Sequence, residues 1–132
     1  MKTIIIALLL AGKVATAQVT TVDVVKVKGE YEKEAVYFYD NNWKVFREKA
    51  LERKYISGFE LVKSKPDTTG VLTIVLITRY PSEGLYAEAE KNFGVVMKEV
   101  APNGPRMMNS VQRKEFIISM ASYAGDSRWQ KP

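Results

Sequence analysis

The residues best suited to chemistry in this chain are defined first by two absences. The 132-residue sequence contains no cysteine and no histidine. Serine–histidine and cysteine–histidine catalysis are excluded, as are disulfides and Cys-ligated metals. Losing imidazole also removes the side chain that titrates nearest neutrality and the commonest transition-metal ligand. What remains is the Asn42-Trp43 pair, Tyr39 one helical turn before it, and the charged residues Glu60 and Arg79. Asn, Trp and Tyr together can hold an apolar or aromatic molecule by ring contact and hydrogen bonding. An arginine can grip a carboxylate with two parallel N–H donors. Glu60 is the strongest remaining general base, but only if it is buried. Each candidate also has a structural reading: Trp43 as a core side chain, Tyr39 as a packed helix residue, Glu60 and Arg79 as a cross-strand ion pair.

The other polar residues suggest no chemistry. Glu83, Glu88 and Glu90 lack metal-ligand spacing and read as a solvated helix face. No Gly-rich phosphate loop is present. Arg106, Arg113 and Lys114, with Arg128 and Lys131, read as charged surface rather than an anion site, and Met107-Met108 as filling for a core gap. No metal and no cofactor is expected.

The N-terminus carries an address. Met1-Lys2 is a short positive start, residues 3–12 are apolar but too few to span a bilayer, and Ala15-Thr16-Ala17 resembles a cleavage site. Residues 1–17 therefore read as a secretory signal peptide, and the mature protein as exported, either periplasmic or secreted. Residues 18–132 are expected to form a single domain with a real core. Removing Lys2 and Lys13 lowers the formal net charge of +5 by two, and the acidic residues are spread along the chain. That balance argues against nucleic-acid binding. With no second long apolar run, no membrane association is expected after cleavage.

The positioning elements follow from periodicity. Val- and Thr-rich residues 20–28 predict a strand. Over residues 32–54, Val36, Tyr39, Trp43, Phe46 and Ala50 recur at steps of three and four, which predicts a helix burying one face. Phe38 and Val45 fall off that stripe. Residues 55–65 and 71–80 read as two strands joined by the turn cluster Pro66-Asp67-Thr68-Thr69-Gly70. The second alternates Val71, Val75 and Ile77 with Leu72, Ile74 and Leu76, so both of its faces are apolar. A second helix begins at Ser82 as N-cap, carries Leu85, Ala89, Phe93, Val96 and Val100, and ends at Pro102-Asn103-Gly104-Pro105. Residues 106–115 suggest a short helix, and 116–123 a last strand. The order βαββαβ predicts an α+β, ferredoxin-like fold: a four-stranded antiparallel sheet with both helices on one face. The other face of residues 71–80 then needs cover, which a homodimer would supply.

Asn42-Trp43, residues 50–61 (Ala-Leu-Glu-Arg-Lys-Tyr-Ile-Ser-Gly-Phe-Glu-Leu) and residues 71–80 together resemble the dimeric α+β barrel superfamily. It includes stress-responsive barrel proteins, NIPSNAP-like proteins and small cofactor-independent monooxygenases. The resemblance spans roughly residues 20–100 and rests on a pattern of elements. It implies two sheets facing each other across a two-fold axis. Some members use Asn and Trp to hold an aromatic substrate that itself activates oxygen. Haem-degrading relatives add a His, which this chain lacks. The leading expectation is a non-enzymatic homodimer binding an apolar or aromatic small molecule through Tyr39, Asn42, Trp43, Glu60 and Arg79. The alternatives are a cofactor-independent monooxygenase or isomerase, and a purely structural protein-interaction module.

Overall fold

Four strands, β1 (Val19–Lys28), β2 (Gly58–Lys63), β3 (Val71–Tyr80) and β4 (Ile117–Asp126), form one antiparallel sheet in the order β2-β3-β1-β4. The computed structural model describes residues 18–127. The expected leader at 1–17, and Arg128 and Lys131, lie outside them. Strand order and chain order together make the ferredoxin-like α+β fold. The central pair β1–β3 runs in register for ten residues, from Val19 opposite Tyr80 to Lys28 opposite Val71. Both strands are rich in β-branched residues, which suit a pleated, packed surface.

The β2–β3 turn is built by Asp67, whose carboxylate accepts from the Thr69 amide at 2.8 Å, the Val71 amide at 3.1 Å and the Thr69 hydroxyl at 2.6 Å. These bonds, led by the Thr69 hydroxyl, hold its pKa below the usual carboxylate value. Gly70 takes a positive φ of 78° to close the turn. Its carbonyl accepts from the Gly29 amide at 2.7 Å, and a Cβ on Gly29 would stand 2.4 Å from that oxygen. Here β1 is pinned to the hairpin, and only glycine fits.

The first helical segment differs from an even helix. Residues 29–31 form a single 3-10 turn, followed by α1 (Glu32–Phe38), a π-helical turn (Tyr39–Trp43) and α2 (Lys44–Glu52). Its inward line is Ala35, Tyr39, Trp43 and Arg47, three steps of four. On a uniform α-helix each such step rotates by about 40°, so the line would drift off the core. The wide turn absorbs that drift. Hence Phe38, read as off the stripe, packs into the core beside Tyr39 and Phe116. Val36, read as on it, lies half-buried at a shallow surface hollow.

The second helical segment is also interrupted. Ser82 caps as expected, its Oγ accepting from the Leu85 amide at 3.2 Å. The chain then bends at Glu88, dividing α3 (Glu83–Ala87) from α4 (Ala89–Val100). The bend accompanies an edge contact of Tyr86 on Tyr80, ring centres 5.4 Å apart. In α4 only Val96 is fully buried, and α4 is tied to α2 by ion pairs of Arg53 and Lys49 with Glu99. Residues 106–112 run as a loop to the one-turn helix α5 (Arg113–Phe116), which leads into β4.

Both helical layers lie on one face of the sheet. Val25, Val27, Leu72, Ile74 and Leu76 pack beneath them with Phe116, Tyr39 and Trp43. Met107-Met108 does not fill this core: Met107 is exposed and Met108 borders the hollow beside Val36.

Candidate functional site

The two helical layers do not meet over β1 and β4. A cleft of about 650 Å³ opens between them. Its floor is Leu76 of β3, Asp23 of β1 and Met120 of β4. One wall is the π-turn and α2, with Phe38, Tyr39, Trp43, Phe46 and Arg47. The other is Met97 of α4, the 101–107 loop and the start of α5, with Gln112, Arg113 and Lys114. Three methionines beside the aromatic rings make walls that can adjust to shape. The volume is that of a small-molecule site.

Three of the sequence candidates occupy the π-turn. Trp43 packs edge-on against Phe59 at 5.7 Å and carries the Arg47 guanidinium 4.9 Å from its ring centre. It is thus a core residue on one side and cleft wall on the other. Tyr39 is 2% exposed, in edge contact with Phe38 and Phe116. Its hydroxyl is buried without a hydrogen-bond partner of good geometry among the described residues. Burial pushes the Tyr39 pKa up, against a smaller opposing pull from Arg113.

Asn42 is committed to the backbone. Its Nδ2 donates to the Phe38 and Arg106 carbonyls, and its Oδ1 accepts from the Arg106 amide, all at 2.8 Å. Both amide donors are used. The side chain therefore clamps the 106 loop to the π-turn and shapes the cleft; its capacity to bind a ligand is nearly spent.

Glu60 and Arg79 lie on the opposite face of the sheet, away from Tyr39, Asn42 and Trp43. They form the cross-strand ion pair, Nη2 to Oε2 3.7 Å, with side chains 35% and 53% exposed for Arg79 and Glu60. A solvated carboxylate here lacks the burial a general base would need. The sheet thus separates two groups that the sequence reading had joined.

Four charged residues that were not chosen for the site line the cleft instead: Asp23, Arg47, Arg113 and Lys114. Arg47 donates from Nε to the buried Thr78 hydroxyl at 3.1 Å and is held between Trp43 and Phe93, 4.9 and 4.1 Å from the ring centres. Burial pushes its pKa down from the usual arginine value, while the nearby Tyr80 and Asp23 oppose this. A signal for two of them exists in the sequence. Asp23 falls in the inward phase of β1, between Val19 and Val27, and Arg47 stands four residues beyond Trp43. Charges at inward positions are costly unless used. Among the described residues no cluster of His, Cys, Asp and Glu could hold a metal, and no helix is long and apolar enough to cross a membrane.

No family model matches the chain, and no curated protein does. Solved structures do. A dimeric ferredoxin-like protein from an uncultured marine organism superposes with a TM-score of 0.50 at 15% identity, covering 89% of this chain and 92% of that one. The fold is ferredoxin-like. A Bacillus cereus protein described as an antibiotic biosynthesis monooxygenase matches with a TM-score of 0.47 at 14% identity, covering 88% of this chain and 98% of that one. The ferredoxin-like fold expected from the sequence is the fold observed.

Proposed function

We propose that this protein is an exported, homodimeric ferredoxin-like barrel that binds an apolar or aromatic small molecule in the cleft and carries out no reaction on it. The observation that carries the reading is the cleft itself, apolar in its body and walled by Tyr39, Trp43 and Phe46. Glu60, the strongest remaining base had it been buried, lies on the other face and is exposed. The dimer is supported by the uncovered side of the sheet. There Val22, Val24, Val75 and Ile77 are half-buried, and Val62 and Tyr123 are 47% and 63% exposed. A continuous apolar face of this kind favours burial against a second copy.

Native mass spectrometry of protein purified from its own host tests both parts. The expected result is a dimer retaining one small molecule per chain, with the N-terminus at Gln18. A ligand-free monomer with Met1 intact would remove the proposal. Ile77→Lys should give a folded monomer by sedimentation, with unchanged far-ultraviolet circular dichroism. Oxygen-dependent conversion of the retained molecule would favour the monooxygenase reading instead.

A further inference from the structure

Resting on the cleft reading above, we infer that Arg47 is an anion anchor, so that the cleft takes an apolar or aromatic body bearing a single acidic group such as a carboxylate or sulfonate. Arg47 is rigidly placed: its Nε is held by Thr78, and its plane is held by Trp43 and Phe93. Among the described residues its two terminal Nη groups have no hydrogen-bond or ion-pair partner, although they belong to a residue that lines the cleft. Asp23, also on the lining, makes no ion pair with it among the described residues, though it is near enough to act on it electrostatically. A guanidinium fixed through one nitrogen, on a residue that lines a mostly apolar space and with both Nη groups unpaired among the described residues, is preorganised for two parallel bonds to an anion. It interacts more strongly there than in water because the surroundings are partly dry.

The rest of the lining agrees in sign. Arg113 and Lys114 stand on the facing wall, so three cations meet the single carboxylate of Asp23. A neutral ligand would leave the Arg47 fork unsatisfied. A cation would face three like charges. The aromatic rings and methionines leave the remainder of the ligand apolar.

The test compares two fluorescent probes of the same body. One is 1-anilinonaphthalene-8-sulfonate, and the other is N-phenyl-1-naphthylamine, which lacks the acid. Wild-type protein should bind the sulfonate about tenfold more tightly than the neutral amine, the scale of one charge-assisted contact. Arg47→Met keeps an apolar stem between Trp43 and Phe93, and should abolish that preference by weakening the sulfonate alone. Arg47→Lys should retain part of it. Equal binding of the two probes by wild-type protein, which needs no variant to fold, would overturn the anchor and leave the cleft reading standing. A preference surviving in folded Arg47→Met would likewise overturn it. So would loss of the preference in Lys26→Met, on the uncovered sheet face. Binding of neither probe would remove the cleft reading, and the anchor with it.

Discussion

On β3, Leu72, Ile74 and Leu76 point under the helices and are at most 4% exposed, whereas Val75 and Ile77 point the other way and stay half-exposed. β1 repeats the division, with Val25 and Val27 fully buried and Val22 and Val24 not. The backbone and residue types barely differ between the two faces. What differs is the polar residues among them. The covered face receives Asp23 and Thr78, the latter engaged by Arg47. The uncovered face is rimmed by Lys26, Lys28, Arg79 and Glu60, of which Lys26 bonds the Thr73 hydroxyl at 2.7 Å and Arg79 pairs with Glu60. Charges around an apolar centre restrict which surface can cover it. One face is therefore organised as a core with a recess, and the other as an apolar surface with a charged rim.

The largest expected effect separates the faces directly. Leu72→Ala should cost about 2–5 kcal/mol in urea denaturation, the usual penalty for truncating a fully buried leucine, at every protein concentration. Val75→Ala should cost an amount that grows with protein concentration, as a residue stabilised by assembly must. A concentration-independent loss of equal size at Val75 would break the comparison. Next comes the clamp. Asn42→Ala strands the Arg106 amide and carbonyl and should cost about 1–3 kcal/mol, and should release the 106 loop, read as faster hydrogen exchange there. Unchanged exchange would mean that the cleft wall is held by something else.

Smaller still is the effect at Tyr39. Its hydroxyl has no hydrogen-bond partner of good geometry among the described residues, only the pull of Arg113, so Tyr39→Phe should change stability at neutral pH by less than about 1 kcal/mol. The alkaline limb is more informative. An unfolded tyrosine ionises from about pH 10, while burial keeps the folded Tyr39 protonated above that. Stability is thus complete below pH 10 and falls as pH rises from there toward the folded pKa. Tyr39→Phe should lessen that fall, and Tyr80, whose pKa burial also raises, contributes to what remains. An equally steep alkaline loss in both proteins would place the Tyr39 hydroxyl in water. The smallest effect belongs to the uncovered face. Glu60→Gln removes an exposed pair at 3.7 Å and should cost about 0.2–1 kcal/mol, less at high salt. A larger loss in the isolated monomer would show that face to be buried already.

The fold was legible because alternation and helical periodicity are local. Residues 71–80 announced β3 at both ends, Ser82 its cap, and residues 66–70 their turn. The π-turn was not legible, since a stripe of Tyr39, Trp43 and Ala50 fits an even helix nearly as well. Only the packing of Phe38 against Phe116 shows where the extra residue is absorbed. Within the site, Tyr39 and Trp43 were found because large aromatics at inward spacing are conspicuous. Arg47 and Asp23 were not singled out, and Arg113 was read as charged surface, because a charge is read as solvated unless its surroundings are known. Asn42 was found, but its work is done on a backbone group 64 positions away.

By itself, the sequence determined which segments become strands and helices and which residues alternate to each side of β3. Those choices act over a few neighbouring residues. Tertiary structure alone decided which apolar side the helices cover, because both sides of β3 satisfy the same alternation and the hand of the β1–α–β2 crossover must choose between them. It also decided that Glu60 and Arg79 would lie across the sheet from Trp43, since a two-residue period says only that faces differ. And it made the cleft, because a gap between α2, α4 and β4 is set by how non-adjacent elements stack and is written in none of them singly.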